Sequence, residues 1–152
     1  RGDGSMTAPN SRAVQKCVKD AIFESGIEAN EIDYINGHLT ATSKDALEIE
    51  NLTKALNRKG NDFPYINSLK SLVGHCLSGS GSVESIATVL QLNHQFVAPN
   101  INCEDLKPEI ENLISRKSIP TEMLSADLNI AAKVSFGFGD VNGCVIFKKY
   151  SK

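Results

Sequence analysis

Three segments carry residues that packing alone does not call for. They are GHLTAT (37–42), NSLKSLVGH (67–75) and VSFGFGDVNG (134–143), supplying His38 with Thr40 and Thr42, Lys70 with His75, and Phe136. Imidazole N–H groups and an ammonium near neutral pH are donors that stabilise negative charge developing on an oxygen. The chemistry they suit is therefore an oxyanion site. No cysteine or serine sits in a recognisable nucleophile turn. SGSGS (78–82) lacks the G-x-S-x-G order of a hydrolase elbow. Gly137-x-Gly139 precedes a strand rather than a helix, so it is no dinucleotide fingerprint.

Elements must bring these residues together. Ser11 is placed to cap a helix carrying Ala13, Val14, Cys17, Val18, Ala21 and Ile22 at spacings of three and four, and Gly26 to end it. Ile32 to Asn36 reads as a buried strand, Ser43 to Arg58 as a helix stopped by Gly60, and Pro64 to Ser68 as a second strand. A helix follows from about Gly81 to His94, then loop, then at best a short helix over Ile110 to Lys117. Ala132 to Phe136 and an alternating Cys144 to Tyr150 read as strands joined through FGFGDVNG. Strand–helix–strand alternation predicts a layered α/β sheet, whose sites gather outside the carboxyl ends of the strands.

The totals agree with one domain. The chain has 152 residues, 41% of them hydrophobic and 22% charged, enough for a single core and too apolar for disorder. No apolar run spans a bilayer, and no n-region with an apolar h-region opens the chain. A net charge of -2 makes no electrostatic case for nucleic acid. Cys17, Cys76, Cys103 and Cys144 form no C-x-x-C pair and no zinc spacing, so no metal site is expected, and Cys17 and Cys144, read as packed thiols, point to a reducing, cytoplasmic setting.

The ordered motifs resemble the C-terminal half of a β-ketoacyl-acyl carrier protein synthase, a condensing enzyme of the thiolase-like fold. They run from Met6-Thr7-Ala8-Pro9 through His38-x-Thr40-x-Thr42, Lys70-Ser71-x-x-Gly74-His75 and Glu84 to Ser135-Phe136-Gly137-Phe138-Gly139-x-x-Asn142. The resemblance implies a single half-domain over 1–152: a mixed sheet with crossover helices and a C-terminal β-hairpin. It implies that the first strand of that half, and an N-terminal half bearing the acyl-accepting cysteine, lie outside this chain. The chain alone is then expected to be inactive.

The activity implied is decarboxylative Claisen condensation of acyl and malonyl thioesters, in fatty acid or polyketide-like synthesis. By resemblance, His38 and His75 donate N–H bonds to the malonyl thioester oxygen. Lys70 supports the pair, with Glu84 as its countercharge. Thr40 and Thr42 bind the phosphopantetheine arm, and Phe136 gates the acyl pocket. No cofactor is expected beyond that carrier arm. The implied partners are acyl carrier protein and the N-terminal half, through which a homodimer or heterodimer forms; neither nucleic acid nor membrane is implied.

Without the resemblance, each residue has a plainer reading. Two histidines in loops are ordinary polar residues, the threonines are turn residues, and Lys70 is solvated at a helix start. If Lys70 is buried, it needs a partner. Phe138 suits an aromatic core position better than Phe136. His94 is a surface residue near a helix end. Arg58-Lys59 and Arg116-Lys117 are candidate docking sites for an acidic carrier protein.

Departures from the family pattern are Leu39 in place of glycine, Asp140-Val141 in place of Gly-Thr, and a His38-to-Glu48 stretch about one residue short. The alternative function is a non-catalytic, chain-length-factor-like subunit of a condensing heterodimer, but such partners usually lose both histidines. A thiolase using coenzyme A fits the Lys70 motif poorly. If His38 and His75 form one oxyanion site, their rings must converge, with nearest nitrogens within roughly 6 Å.

Overall fold

The computed structural model describes residues 6, 7 and 9–150, which leaves Ala8 of the opening motif outside the described residues. Its strands are β1 (Tyr34–Asn36), β2 (Tyr65–Asn67), β3 (Phe96–Val97), β4 (Leu124–Ser125), β5 (Ile130–Gly137) and β6 (Val141–Lys148). Its helices are α1 (Ser11–Ser25), α2 (Asp45–Leu56), α3 (Lys70–Val73), α4 (Ser80–His94) and α5 (Pro108–Glu111).

The four expected strands share one mixed sheet in the order β2-β1-β5-β6. β1 runs parallel to β2 and β5, and β5 pairs antiparallel with β6. The hairpin is tighter than FGFGDVNG suggests, because pairing continues to Gly137 and Val141. β3 and β4 form a separate two-residue ladder.

Strand alternation divides the core. Ile35, Ala132 and Val134 pack with Val18 of α1 and Ile49 and Leu52 of α2. Tyr34 and Ala131 join Leu92 of α4 and Leu128 on the other face. Lys133 follows Ala131 by two and stands opposite Asn36 in register, so both belong to the α4 face.

Helix α4 reverses the usual pattern. Its buried residues include Ser80, Glu84, Thr88 and Gln91, whereas Val83, Ile86, Val89 and Leu90 are exposed. The buried polar stripe reaches across to the sheet and to Ala98. Gln91 donates to Tyr34 Oη at 2.9 Å and accepts the Ala98 N–H at 2.7 Å, and Asn36 donates to the Glu84 carbonyl at 3.3 Å.

Several boundaries differ from the sequence reading. Asn10, not Ser11, caps α1, accepting the N–H groups of Arg12 and Ala13. Gly26 does end α1 in the left-handed region. Asn57, not Gly60, ends α2 with φ 53°, and Gly60 instead bridges to Ile114. A short helix, α3, intervenes between β2 and His75, so His75 does not directly follow a strand.

Candidate active site

Three loops meet at the carboxyl ends of β1 and β2 and beside the β5–β6 hairpin. The Gly37 N–H still bonds to the Asn67 carbonyl at 2.8 Å, extending the sheet one residue beyond β1. His38 follows. A Cβ on Gly37 would lie 3.0 Å from two Leu39 side-chain carbons and 3.2 Å from Glu48 Oε1, so the Leu39 or Glu48 side chain would have to shift to admit one.

Glu48 holds this loop. Its Oε1 accepts the N–H of His38 at 2.7 Å and its Oε2 the N–H of Leu39 at 3.0 Å. Burial pushes the Glu48 carboxyl up to about 7, against the downward pull of these two N–H bonds. Asp45 Oδ1 accepts the N–H groups of both Thr40 and Thr42.

The threonine segment is not extended, as alternation would require. Ala41 between them adopts φ 57°, yet the Thr40 hydroxyl still donates to that of Thr42 at 3.3 Å. The threonines share an aspartate-centred turn.

His75 is placed by different means. Gly74 ends α3 at φ 75° and ψ −178°, a conformation that favours glycine. The Leu77 N–H then donates to His75 Nδ1 at 3.0 Å. Nδ1 is therefore the acceptor nitrogen of the ring. The Ser80 hydroxyl also donates to it, at 3.0 Å, leaving Nε2 as the N–H donor.

The rings converge. His38 and His75 have centroids 5.7 Å apart at 84°, and His38 and Phe136 lie 6.2 Å apart at 72°. Lys70 and Glu84 meet at 2.6 Å with both side chains buried. Burial, then the Lys70 and Lys133 ammoniums, hold His38 down at about 4, so its imidazole is neutral at ordinary pH. His75 is exposed.

Phe136 thus faces His38, while Phe138 is 72% exposed and no core residue. His94 ends α4 and is exposed, as expected. Arg58 is not available for docking: it donates to the carbonyls of Ala29, Ile32 and Asp62. Arg116 bonds to Glu111 and to the Glu104 carbonyl.

Sequence reading passed over Lys133, whose ammonium lies 2.7 Å from Glu84 Oε2. A lysine alternating with Ala132 and Val134 reads as the solvent side of a strand. In the sequence Glu48 stands out only as the end of a shortened stretch.

A cavity of about 330 Å³ adjoins the site, lined by Thr7, Pro9, His38, Thr40, Thr42 and Phe136 among others. The opening segment reaches it because the Gly139 N–H donates to the Met6 carbonyl at 2.8 Å and the Asn10 N–H to Asp140 Oδ1 at 2.9 Å. Asp140, a departure from the family pattern, thereby fastens the hairpin turn to the start of α1. No His/Cys/Asp/Glu cluster among the described residues is arranged to hold a metal ion. No helix among them is long and apolar enough to cross a membrane.

Comparison with known proteins gives the class to which this fold belongs. Residues 1–104 match the Beta-ketoacyl synthase, C-terminal domain. The 3-oxoacyl-(acyl-carrier-protein) synthase 1 of Haemophilus influenzae is 37% identical over 96% of this chain and 34% of its own length. A ketosynthase from module 1 of the bacillaene synthase of Bacillus amyloliquefaciens superposes with a TM-score of 0.88 at 26% identity, over 100% of this chain and 29% of that one. A type II polyketide synthase acyl-carrier protein complex with its ketosynthase gives a TM-score of 0.84 at 26% identity, over 98% of this chain and 36% of the matched one.

The chain belongs to the β-ketoacyl synthase family, in its C-terminal domain. It spans about a third of the length of the curated relatives it matches.

Proposed function

We propose that this chain is the malonyl-activating part of a 3-oxoacyl-acyl carrier protein synthase. The observation that carries the reading is the meeting of two imidazoles, His38 and His75, beside the buried Lys70–Glu84 pair. The malonyl thioester oxygen sits between the two rings. The bond to the terminal carboxylate breaks, carbon dioxide leaves, and its electron pair forms an enolate whose oxygen takes the N–H bond of His75 Nε2 and one from His38. The enolate carbon then attacks an acyl thioester held on a cysteine elsewhere in the enzyme, whose thiolate departs.

Thr40 and Thr42 bind the amides of the phosphopantetheine arm in the cavity they line with Phe136, which gates it. The substrates arrive on acyl carrier protein, and no other cofactor is required. Lys44, exposed and lining the same cavity, is the basic residue placed to meet the carrier. The remainder of the enzyme covers the apolar side of α4 and the free edge of β6, supplies the cysteine and forms the dimer. Four free thiols suit a cytoplasmic setting. A non-catalytic chain-length partner is not favoured, since it would not need both imidazoles.

The test is carbon dioxide release from malonyl-acyl carrier protein, and condensation with an acyl donor, by the longer protein containing this chain. His38→Ala or His75→Ala should each slow it on the order of 10²–10³-fold. Unchanged rates in both variants would overturn the reading. This chain alone should not condense, and acylation of Cys76 found by mass spectrometry would contradict that.

A further inference from the structure

Lys133 is 3% exposed in the middle of β5, a position that strand alternation turns toward α4. A buried ammonium needs all three of its N–H groups satisfied. Its partners are Glu84 Oε2 at 2.7 Å, Ser135 Oγ at 2.8 Å and the Val134 carbonyl. Glu84 thus binds a different lysine with each carboxylate oxygen, Lys70 through Oε1 and Lys133 through Oε2. Asn36, opposite Lys133 in register, fixes the α4 backbone at the same point by donating to the Glu84 carbonyl.

A charge count shows what the second lysine adds. Lys70 and Glu84 alone would be a neutral pair. With Lys133 the three groups carry two positive charges and one negative, a net +1 beside the two imidazoles. Lys133 does not line the adjoining cavity that His38 lines.

We propose that Lys133 is a positioning residue that acts through Glu84: it fixes that carboxylate from its second oxygen and turns a neutral ion pair into a cationic triad facing the oxyanion site. The role rests on the condensing reading given above. The charged and titratable groups around His38 are Lys70, Lys133, His75 and Glu84, with Glu48 of α2 on its backbone N–H. Both lysines act to hold the His38 imidazole neutral, and Glu84 acts against them. Burial draws the Lys133 ammonium down from its ordinary value, and Glu84 draws it back up. Glu84 itself is raised by burial, but the two lysines outweigh this and hold it below its ordinary value.

The test compares Lys133→Met and Lys133→Gln, which remove the charge, with Lys133→Arg, which keeps it. The first readout is the titration of the His38 ring by imidazole NMR. In either neutral variant its midpoint should rise toward the ordinary histidine value, by half a pH unit or more, and in Lys133→Arg it should stay low. The second is decarboxylation of malonyl-acyl carrier protein, for which kcat should fall tenfold or more in the neutral variants with KM changed less than twofold. A packing role alone would leave the His38 midpoint where it is, and that result overturns the proposal. Should neither neutral variant fold, the side-chain nitrogen resonance of Lys133 in the unaltered protein decides. An ammonium at pH 7 is required, and a neutral amine sinks the idea. If the unaltered protein has no decarboxylation activity, the condensing reading fails, while the titration still judges what Lys133 does to His38.

Discussion

Glu48 receives the backbone N–H of His38 at 2.7 Å and so joins the first turn of α2 to the loop that carries the imidazole. Its carboxyl titrates near 7 in the folded chain, against an ordinary value of 4.5. The folded state therefore holds this proton more tightly than the unfolded one. The resulting stabilisation is complete below about pH 4.5 and is lost as the pH rises through about 7, a swing of about 3 kcal/mol. His38 acts oppositely, because its folded value is depressed to about 4: its contribution is complete above 6.5 and fades as the pH falls toward 4. Glu48→Gln should retain the His38 trend and lose the Glu48 one. Urea midpoints at pH 5 and pH 8 for both proteins measure this, and equal shifts in the two would contradict it.

Gly74→Ala tests how His75 is aimed. Nothing lies within 4 Å of the added Cβ, so the penalty comes from the backbone at φ 75°. A loss of about 1–3 kcal/mol in urea unfolding is expected. Decarboxylation should fall with it at substrate saturation, because the Leu77 N–H that fixes His75 Nδ1 follows directly on this turn.

Gly37 and Leu39 should be coupled. Gly37→Ala places its Cβ 3.0 Å from Leu39 Cδ1, and Leu39→Gly removes that neighbour. The penalty of Gly37→Ala should shrink in the Leu39→Gly background by at least about 0.5 kcal/mol in a double-mutant cycle. Additive values would place the conflict at Glu48 Oε1 alone, 3.2 Å away.

Lys44→Glu addresses the carrier. The side chain is exposed at the cavity that holds Thr40 and Thr42. KM for malonyl-acyl carrier protein should rise about tenfold at low salt, with less effect at high salt and little change in kcat. A KM that stays constant across salt would remove Lys44 from the docking surface.

Much of this was legible because local signals agreed with tertiary ones. Ile32 to Asn36 is β-branched and aromatic, and its last three residues form β1, one of the two inner strands, with Tyr34 and Ile35 buried on opposite faces. The His38 and His75 motifs were legible through spacing, and their rings do meet. What escaped was decided by partners distant in the chain. Asn10 outcompetes Ser11 as a cap because its side chain accepts two N–H groups while its own N–H is held by Asp140, 130 positions away. Lys133 looks like a solvent-facing residue until Glu84 arrives from α4. The β3–β4 ladder has two residues per strand, too few for periodicity to show.

The order of the sheet also bears on how the protein is made. β5 is an inner strand of the sheet, yet it pairs with β1 across 97 positions, Tyr34 standing opposite Ala131. At about 5–20 residues per second, a ribosome would need on the order of 5–20 s between delivering the two strands. During that interval β1 and β2 have no central partner, and α4 has only part of the surface that its buried polar stripe requires. The sheet therefore cannot close until the hairpin emerges, and a chain stalled before Ile130 would be a substrate for chaperones or proteases rather than a smaller folded protein.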